Sequence, residues 1–273
     1  MNLTTVIPAA HNKGLTLRIA NAAKECSGLS DVVVFDNGVG RGGRLGTGTN
    51  VGNYAVFHRS ANDLSSDLIL FIHNDLIIYE HGFDQRLIEA FANDPRLGLV
   101  GFVASNEIDA QGGRGLGTRS NYQGNEPGTS PAETHGMRER GFCAAAVVDG
   151  AAMCFRRDAL LDCPELDFPP HHFYDKMFSC QMLERGWHVG YLGVACDHKS
   201  GQTANEYKGY HDLAREWCEE HDCVRTGNPD QDVYLEAERR FLTEYRDEKR
   251  FIPLKVGPDH EIYHTHSQAY ATP

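Results

Sequence analysis

The strongest constraint on this chain is the rhythm of its first half, where short apolar runs alternate with stretches of helical spacing. Leu3 to Ile7, Asp31 to Phe35, Leu68 to Ile72 and Leu97 to Val103 read as strands. Between them Leu15 to Cys26, Val51 to Ser60 and Phe83 to Asn93 carry apolar residues three and four apart, the spacing of one helix face. Strands that alternate with helices in this way imply a mostly parallel sheet with helices on both faces, so the fold class is α/β. With 273 residues, 41% of them hydrophobic, the chain can bury a full core without a disulfide scaffold.

The rhythm breaks at Ser105 to Gly141, which holds eight glycines and little apolar content. It is expected to be a structureless loop or lid. Order is expected to return at Ala144 to Val148 and Ala151 to Phe155, two runs parted by Asp149-Gly150, then in a helix over Phe173 to Arg185 and a strand over His188 to Cys196. After Thr203 the composition turns acidic and helical, over Tyr210 to Glu220 and Asp232 to Tyr245, and the tail from Ile252 reads as irregular. The expected organisation is a domain over 1–205 and a helical, acidic extension over 206–273.

Twenty-six Lys and Arg stand against 38 Asp and Glu, a formal charge of -12, which is the wrong sign for holding nucleic acid by phosphate neutralisation. No run approaches the ~20 apolar residues of a membrane span, and Met1 to Gly14 lacks the pattern of a signal peptide. Eight scattered cysteines fit reduced thiols in a cytoplasm better than a secreted framework.

In open α/β sheets ligands bind beyond the carboxyl ends of the strands. Those positions are polar here: Pro8-Ala9-Ala10-His11-Asn12, Asp36-Asn37-Gly38, His73-Asn74-Asp75 and Asp197-His198. Asp75, at the end of a buried strand, can hold a hard divalent cation while substrate phosphates complete its shell, and His198 can add an imidazole. The plain structural alternatives are a helix or turn cap for Asp75 and a satisfied core histidine for His198. Asp175, in His171-His172-Phe173-Tyr174-Asp175-Lys176, is placed to act as a general base if burial raises its pKa, or simply to favour a helix N-terminus. Gly38-Val39-Gly40-Arg41-Gly42-Gly43 satisfies G-x-G-x-x-G and is followed by Asp63, which points to a dinucleotide site. Against that reading, Arg44 to Thr49 continue as glycine-rich loop where a helix should open; Arg41 or Arg44 then reaches phosphates from a loop. Cys218 to Cys223 offers one C-x-x-H-x-C without a second pair, short of a zinc site, and His260, His264 and His266 read as a solvated tail.

Taken in order, these motifs resemble the family-two type glycosyltransferases with the GT-A fold. Val32 to Gly38 is similar to the family's strand ending in Asp-Asn-Gly/Ser, and Asn50-Val51-Gly52-Asn53 to its Asn-x-Gly helix start. Leu70 to Asp75 resembles the D-x-D segment, with His73 in place of the first acidic residue. Asp149 to Arg157 resembles the acceptor-side Gly-Ala-x-Met-x-x-Arg-Arg strand. Phe173-Tyr174-Asp175 with Leu183 to Trp187 resembles the Glu-Asp helix, Tyr174 standing where the family has Glu, and Asp197-His198 resembles the late metal-site histidine. The resemblance spans roughly residues 1–205.

The resemblance implies a GT-A, Rossmann-like sheet and an inverting, metal-dependent transfer from a nucleotide diphosphate sugar, a UDP-sugar favoured, to an acceptor hydroxyl. Asp36 would face the base, Pro8, Ala9 and Asn50 would line the nucleoside pocket, Asn37 and Asn74 would complete the donor-binding set, and Asp75 and His198 would hold Mn²⁺ or Mg²⁺. Asp175 would be the catalytic base, and the glycine-rich segment would close over the acceptor. The acceptor could be a glycan, a protein or, against the acidic charge, a modified DNA base. Two other classes stay open: a non-catalytic nucleotide- or glycan-binding module, and an NAD-dependent oxidoreductase using Gly38, Gly40 and Gly43.

Overall fold

The first strand, β1 (Leu3–Ala9), lies between two parallel neighbours, β2 (Asp31–Asp36) and β4 (Leu68–Ile72), third from one edge of an eight-stranded sheet in this computed structural model. The structure describes residues 1–9, 13–38, 45–46, 48–115, 117–125, 136–199, 208–223, 225–249 and 251–264. Beyond β2 a two-residue strand, β3 (Leu45–Gly46), closes one edge. On the other side β13 (Ala152–Arg156) runs antiparallel between β4 and β6 (Leu97–Gly101), and β14 (His188–Leu192) runs parallel to β6. The far edge is β11 (Phe142–Ala144), antiparallel to β14.

Period-two alternation divides the side chains of the central strands between two cores. In β4, Leu68, Leu70 and Ile72 join the cluster formed with helices α1 (Lys13–Cys26) and α3 (Phe83–Asn93). Ile69 and Phe71 face the opposite side, toward α2 (Gly52–Asp63) and α5 (Tyr174–Glu184). All five are at 0 or 1% exposure, and burying each is worth about 1.5–3 kcal/mol. Aromatic packing fills the α2–α5 side: Phe57 stacks on Phe71 with centroids 4.0 Å apart, and Tyr54 on Phe178 at 4.7 Å. On the other side the turn from α1 into β2 is tied to α3 through one carboxylate oxygen. Asp84 Oδ2 accepts from Ser27 Oγ (2.6 Å) and from the amides of Gly28 (3.0 Å), Leu29 (2.6 Å) and Ser30 (2.9 Å).

The expected helix and strand positions hold, with small shifts at their ends, through α3. The expectation that Leu97 to Val103 is one strand is corrected: the run divides into β6 and β7 (Val103–Ser105), which pairs with β12 (Val147–Val148) in a second sheet. The glycine-rich segment is not structureless where it is described. It forms β8 (Glu107–Ile108), β9 (Arg119–Ser120) and β10 (Met137–Arg138), and residues 126–135 lie outside the described residues. Glycine serves this packing: a Cβ on Gly136, at φ +86°, would sit 1.9 Å from the Thr118 carbonyl oxygen. The long strand expected over His188 to Cys196 is β14 followed by β15 (Cys196–His198).

After residue 205 come α6 (Lys208–Glu220) and α7 (Pro229–Leu242), which pack on each other, and α7 runs into a π-helical turn at Thr243–Glu248. The tail expected to be irregular instead forms a hairpin of β16 (Leu254–Val256) and β17 (Ile262–His264). β16 also pairs with β8, so the end of the chain is built onto the glycine-rich segment. No helix among the described residues is long and apolar enough to cross a membrane. The remaining helix, α4 (Arg157–Asp162), follows β13.

Candidate active site

Three parallel strands, β1, β2 and β4, end at the same edge of the sheet, which brings Ala9, Asp36 and His73 together. β13 enters from that edge because it is antiparallel to β4, so Asp149 and Gly150 arrive there too, and the His73 amide donates to the Ala151 carbonyl at 2.9 Å. The late histidine is positioned by a further pairing. β15 runs antiparallel to β5 (Leu76–Ile78) with His198 opposite Leu76, one residue beyond Asp75.

The result is a compact group of three. His198 Nε2 lies 3.1 Å and His73 Nδ1 4.0 Å from Asp75 Oδ1, and one ligand atom from each residue lies within 4.8 Å of the other two. Asp75 is 4% exposed, and its Oδ1 receives no aligned hydrogen bond. Such a carboxylate oxygen is costly to bury unless a cation satisfies it. One carboxylate and two imidazoles fit a divalent transition ion or Mn²⁺. Burial pushes the Asp75 pKa up, but the two histidines beside it pull harder, and the net shift is downward. For His198 burial favours the neutral form, yet Asp75 opposes it and the pKa is raised. His73 goes the other way, lowered by burial and by His198. Asp75 caps no helix, since the element that follows it is β5.

A cavity of about 370 Å³ opens beside this group. On one side Pro8, Asn37 and Asn50 line it, with Asn74, Asp75 and His198 next to them, so six of the sequence-derived residues meet at one place. Asn37 and Asn50 also shape the wall: Asn37 Oδ1 accepts from the Val51 amide (2.9 Å) and Asn50 Oδ1 from the Gly52 amide (3.0 Å). Gly52, at φ +76°, presses so close to the next segment that a Cβ would lie 2.5 Å from the Pro170 carbonyl oxygen. Ala9 and Asp36, 2% and 7% exposed, are not among the lining residues.

Asp175 is likewise not among the residues that line this cavity; its neighbour Tyr174 is. Tyr174 OH is hydrogen-bonded to His73 Nε2 at 2.7 Å, and it can approach because residue 150 is glycine, where a Cβ would sit 2.1 Å from the phenol oxygen. Asp175 Oδ2 accepts from the Gly150 amide (3.2 Å) and Oδ1 from the Lys176 amide (2.9 Å). Burial, and then the negative charge of Asp149, raise its pKa. Asp149 itself is held at about 2, because Arg114 and His198 outweigh its burial; Arg114 Nη1 is ion-paired with Asp149 Oδ2. Two adjacent carboxylates whose pKa values are pushed apart are a pattern of acid–base sites.

Sequence reasoning missed Arg114, which the glycine-rich segment delivers to Asp149, and the other cavity wall, made of His171, His172, Tyr210 and Asp230. His73, read only as a substitution, belongs to the group of three that could hold a metal ion; its place two residues before Asp75 was the available signal. The dinucleotide reading of the glycine run lacks its helix, in line with the loop composition of Arg44 to Thr49: β3 follows the run and α2 opens only at Gly52, while Arg41 and Arg44 lie outside the described residues. His221 bonds Asp167 at 2.7 Å and stacks on Trp217 rather than joining Cys218 and Cys223. His260 is not in a solvated tail. It stacks on His188 with ring centroids 4.0 Å apart, whereas His266 lies outside the described residues.

Among solved structures, the chain is similar to a mannosyltransferase from Pyrobaculum calidifontis in complex with GDP-Man and Mn²⁺, at 13% identity over 88% of this chain and 69% of that one, with a TM-score of 0.51. Glucosyl-3-phosphoglycerate synthase from Mycobacterium tuberculosis is similar at 14% identity over 83% of this chain and 82% of that one, with a TM-score of 0.49. The first likeness shows the fold, the mixed α/β architecture of a GT-A glycosyltransferase. No curated protein sequence matches the chain. The sequence profile of the glycosyltransferase-like family matches residues 56–245, from α2 through α7 into the turn that follows it, and the chain belongs to that family.

Proposed function

We propose that the chain transfers a sugar from a nucleoside diphosphate sugar, with UDP as the favoured nucleotide, to an acceptor hydroxyl with inversion at the anomeric carbon. The observation that carries this reading is the meeting of His73, Asp75 and His198 in one cavity wall with Pro8, Asn37 and Asn50, at the carboxyl ends of parallel strands. His73, Asp75 and His198 would hold the divalent cation, Mn²⁺ being better suited than Mg²⁺ to two imidazoles. When bound, such an ion neutralises charge that develops on a departing diphosphate.

Pro8, Asn37 and Asn50 would line the nucleoside pocket and Asn74 would approach the phosphates, with Ala9 and Asp36 supporting the strand ends from behind. Asp175 would take the acceptor hydroxyl proton while that oxygen bonds to the anomeric carbon and the bond to the β-phosphate oxygen breaks. Its raised pKa suits a base, and general-base help is worth roughly two to four powers of ten. Because Asp175 stands behind Gly150 and Tyr174, the acceptor would approach from the side of Arg114 and Asp149. The glycine-rich segment, which carries Arg114 between β8 and β9, would cover that side and exclude water. The domain boundary we propose lies near residue 205. All eight cysteines are free, and burial pushes the thiols of Cys163 and Cys218 up to about 12, which supports a reducing compartment such as the cytoplasm.

The test is a screen of UDP-, GDP-, ADP- and CDP-sugars for binding and hydrolysis, with and without Mn²⁺. Manganese-stimulated release of a nucleoside diphosphate is expected. Binding without any turnover would favour a non-catalytic module, and binding of NAD with no response to nucleotide sugars would overturn the reading.

A further inference from the structure

One wall of the cavity is built from residues far apart in the chain. His171 and His172 lead into α5, Tyr210 lies in the first turn of α6, and Asp230 stands near the start of α7. They form one bonded unit. The His171 ring stacks on Tyr210 with centroids 3.7 Å apart and planes within 14°, and His171 Nε2 donates to the Tyr210 carbonyl at 3.0 Å. His172 Nε2 lies 2.8 Å from Asp230 Oδ1, and the Tyr210 hydroxyl reaches the same pair, 3.2 Å from His172 Nε2. Asn228 caps α7 by accepting from the Asp230 amide at 3.1 Å, which fixes where that carboxylate stands.

The chemistry of this wall differs from that of its neighbours. Both histidines turn Nε2–H inward, onto the Tyr210 carbonyl and the Asp230 carboxylate. The Tyr210 hydroxyl donates to Asp230 as well, so what remains for a ligand is acceptor capacity: the lone pairs of the Asp230 carboxylate beyond these two bonds, and those of the Tyr210 hydroxyl. Asp230 keeps 32% of its side-chain surface accessible, and its pKa is held at about 2, chiefly by the bond from His172, so it is anionic at neutral pH. An anionic wall of acceptors repels phosphate and attracts hydroxyl donors. Phosphate is already provided for by the His73, Asp75 and His198 group, and the nucleoside by Pro8, Asn37 and Asn50.

We propose that Asp230 and Tyr210, carried by the helices after residue 205, bind the hydroxyls of the donor's sugar ring and so select which nucleotide sugar is used. This rests on the transferase reading above, and it gives the acidic C-terminal helices a part in the site. His172 is the positioning residue that holds Asp230 in place.

The experiment compares the wild type, Asp230→Asn and Tyr210→Phe by calorimetry with Mn²⁺, each against UDP, UDP-glucose, GDP and GDP-mannose. In both variants the affinity for the nucleoside diphosphate should stay within about threefold of wild type. Affinity for the sugar-bearing partner should fall roughly tenfold, equivalent to about 1.4 kcal/mol. Relative kcat/KM between sugars should flatten. Equal loss for the bare nucleotide and its sugar, or no loss for either, overturns the proposal, the first by showing a merely structural role. A wild type that binds none of the four ligands overturns the transferase reading itself and this wall's role with it. Tyr210→Phe removes only a hydroxyl, so it keeps the test open if Asp230→Asn loosens α7.

Discussion

Replacing Asp75 with Asn removes one charge from the centre of the proposed ion-binding group while keeping its volume. The carboxylate is 4% exposed, with His198 Nε2 at 3.1 Å and His73 Nδ1 at 4.0 Å. At about 4 Å and an effective dielectric of about 20, a unit pair is worth about 4 kcal/mol before the desolvation of both partners offsets much of it. Two measurements follow. In metal-free protein, the His198 pKa, raised by Asp75 against its own burial, should drop below that of an ordinary histidine, since burial, the largest influence on it, is then opposed only by the charge of Asp149. NMR titration of the His198 ring reads this without any ion. In the loaded protein Mn²⁺ loses its only carboxylate in the group. Loss of a residue that merely orients a ligand costs 10–100-fold in affinity, so loss of the ligand itself should cost roughly 10²–10³-fold.

The pair also sets a pH window for stability. Asp75 has a depressed folded pKa, so its contribution is present above the unfolded value of about 3.9 and fades as pH falls through the folded one. His198 has a raised folded pKa, so its contribution is full below about 6.5 and is lost as pH rises through the folded value. The stability gap between wild type and Asp75→Asn should therefore be widest between about pH 4 and about pH 6.5, and should narrow as pH rises further through the raised His198 pKa. An unchanged His198 titration together with Mn²⁺ binding within about threefold of wild type would refute the reasoning.

Three other substitutions probe separate parts of the structure. Asp84→Ala deletes four hydrogen bonds to one oxygen at the α1–β2 turn; because the freed amides can partly rehydrate, the cost should be about 3 kcal/mol, seen as a melting-temperature drop of roughly 6–12 °C. That difference should shrink below about pH 4, since Ser27 and the turn amides outweigh burial to depress the Asp84 pKa; a gap under about 0.5 kcal/mol at neutral pH would contradict the account. Tyr174→Phe should lower Mn²⁺ affinity about tenfold by releasing His73, and Gly150→Ala, which forces Tyr174 away, should do at least as much; calorimetry with Mn²⁺ checks both. Asp149→Asn removes the negative charge that helps raise the Asp175 pKa and frees Arg114 beside it, so the acid limb of the kcat/KM profile should move to lower pH, and a limb that stays put would argue against Asp175 as the base.

Local pattern was enough for the order of the longer elements through α3, though not for the short strands β3 and β5, because an apolar run or a helical stripe is a property of adjacent residues. It also marked Pro8, Asn37, Asn50, Asn74, Asp75 and His198, each at a strand end or helix start, and these meet in one cavity. The glycine-rich segment was illegible because its short strands are held by partners elsewhere in the chain, β7 and β16 among them, and two-residue strands carry no period of their own. The tail hairpin was missed for the same reason.

The sequence by itself therefore determined the α/β class, the placement of polar residues beyond buried strands, and the family resemblance. Tertiary structure decided which of those residues share a site. Asp75 and His198 meet through the register of β5 against β15, and a slip of one residue would turn His198 to the other face. Asp175 was legible as a helix-start carboxylate, but only the packing of Gly150 against Tyr174 placed it beside Asp149 and behind the cavity. Arg114, Tyr210 and Asp230 reach the site from segments whose local sequence carries no such signal. Long-range pairing and side-chain packing, which depend on the whole chain being folded, brought them there.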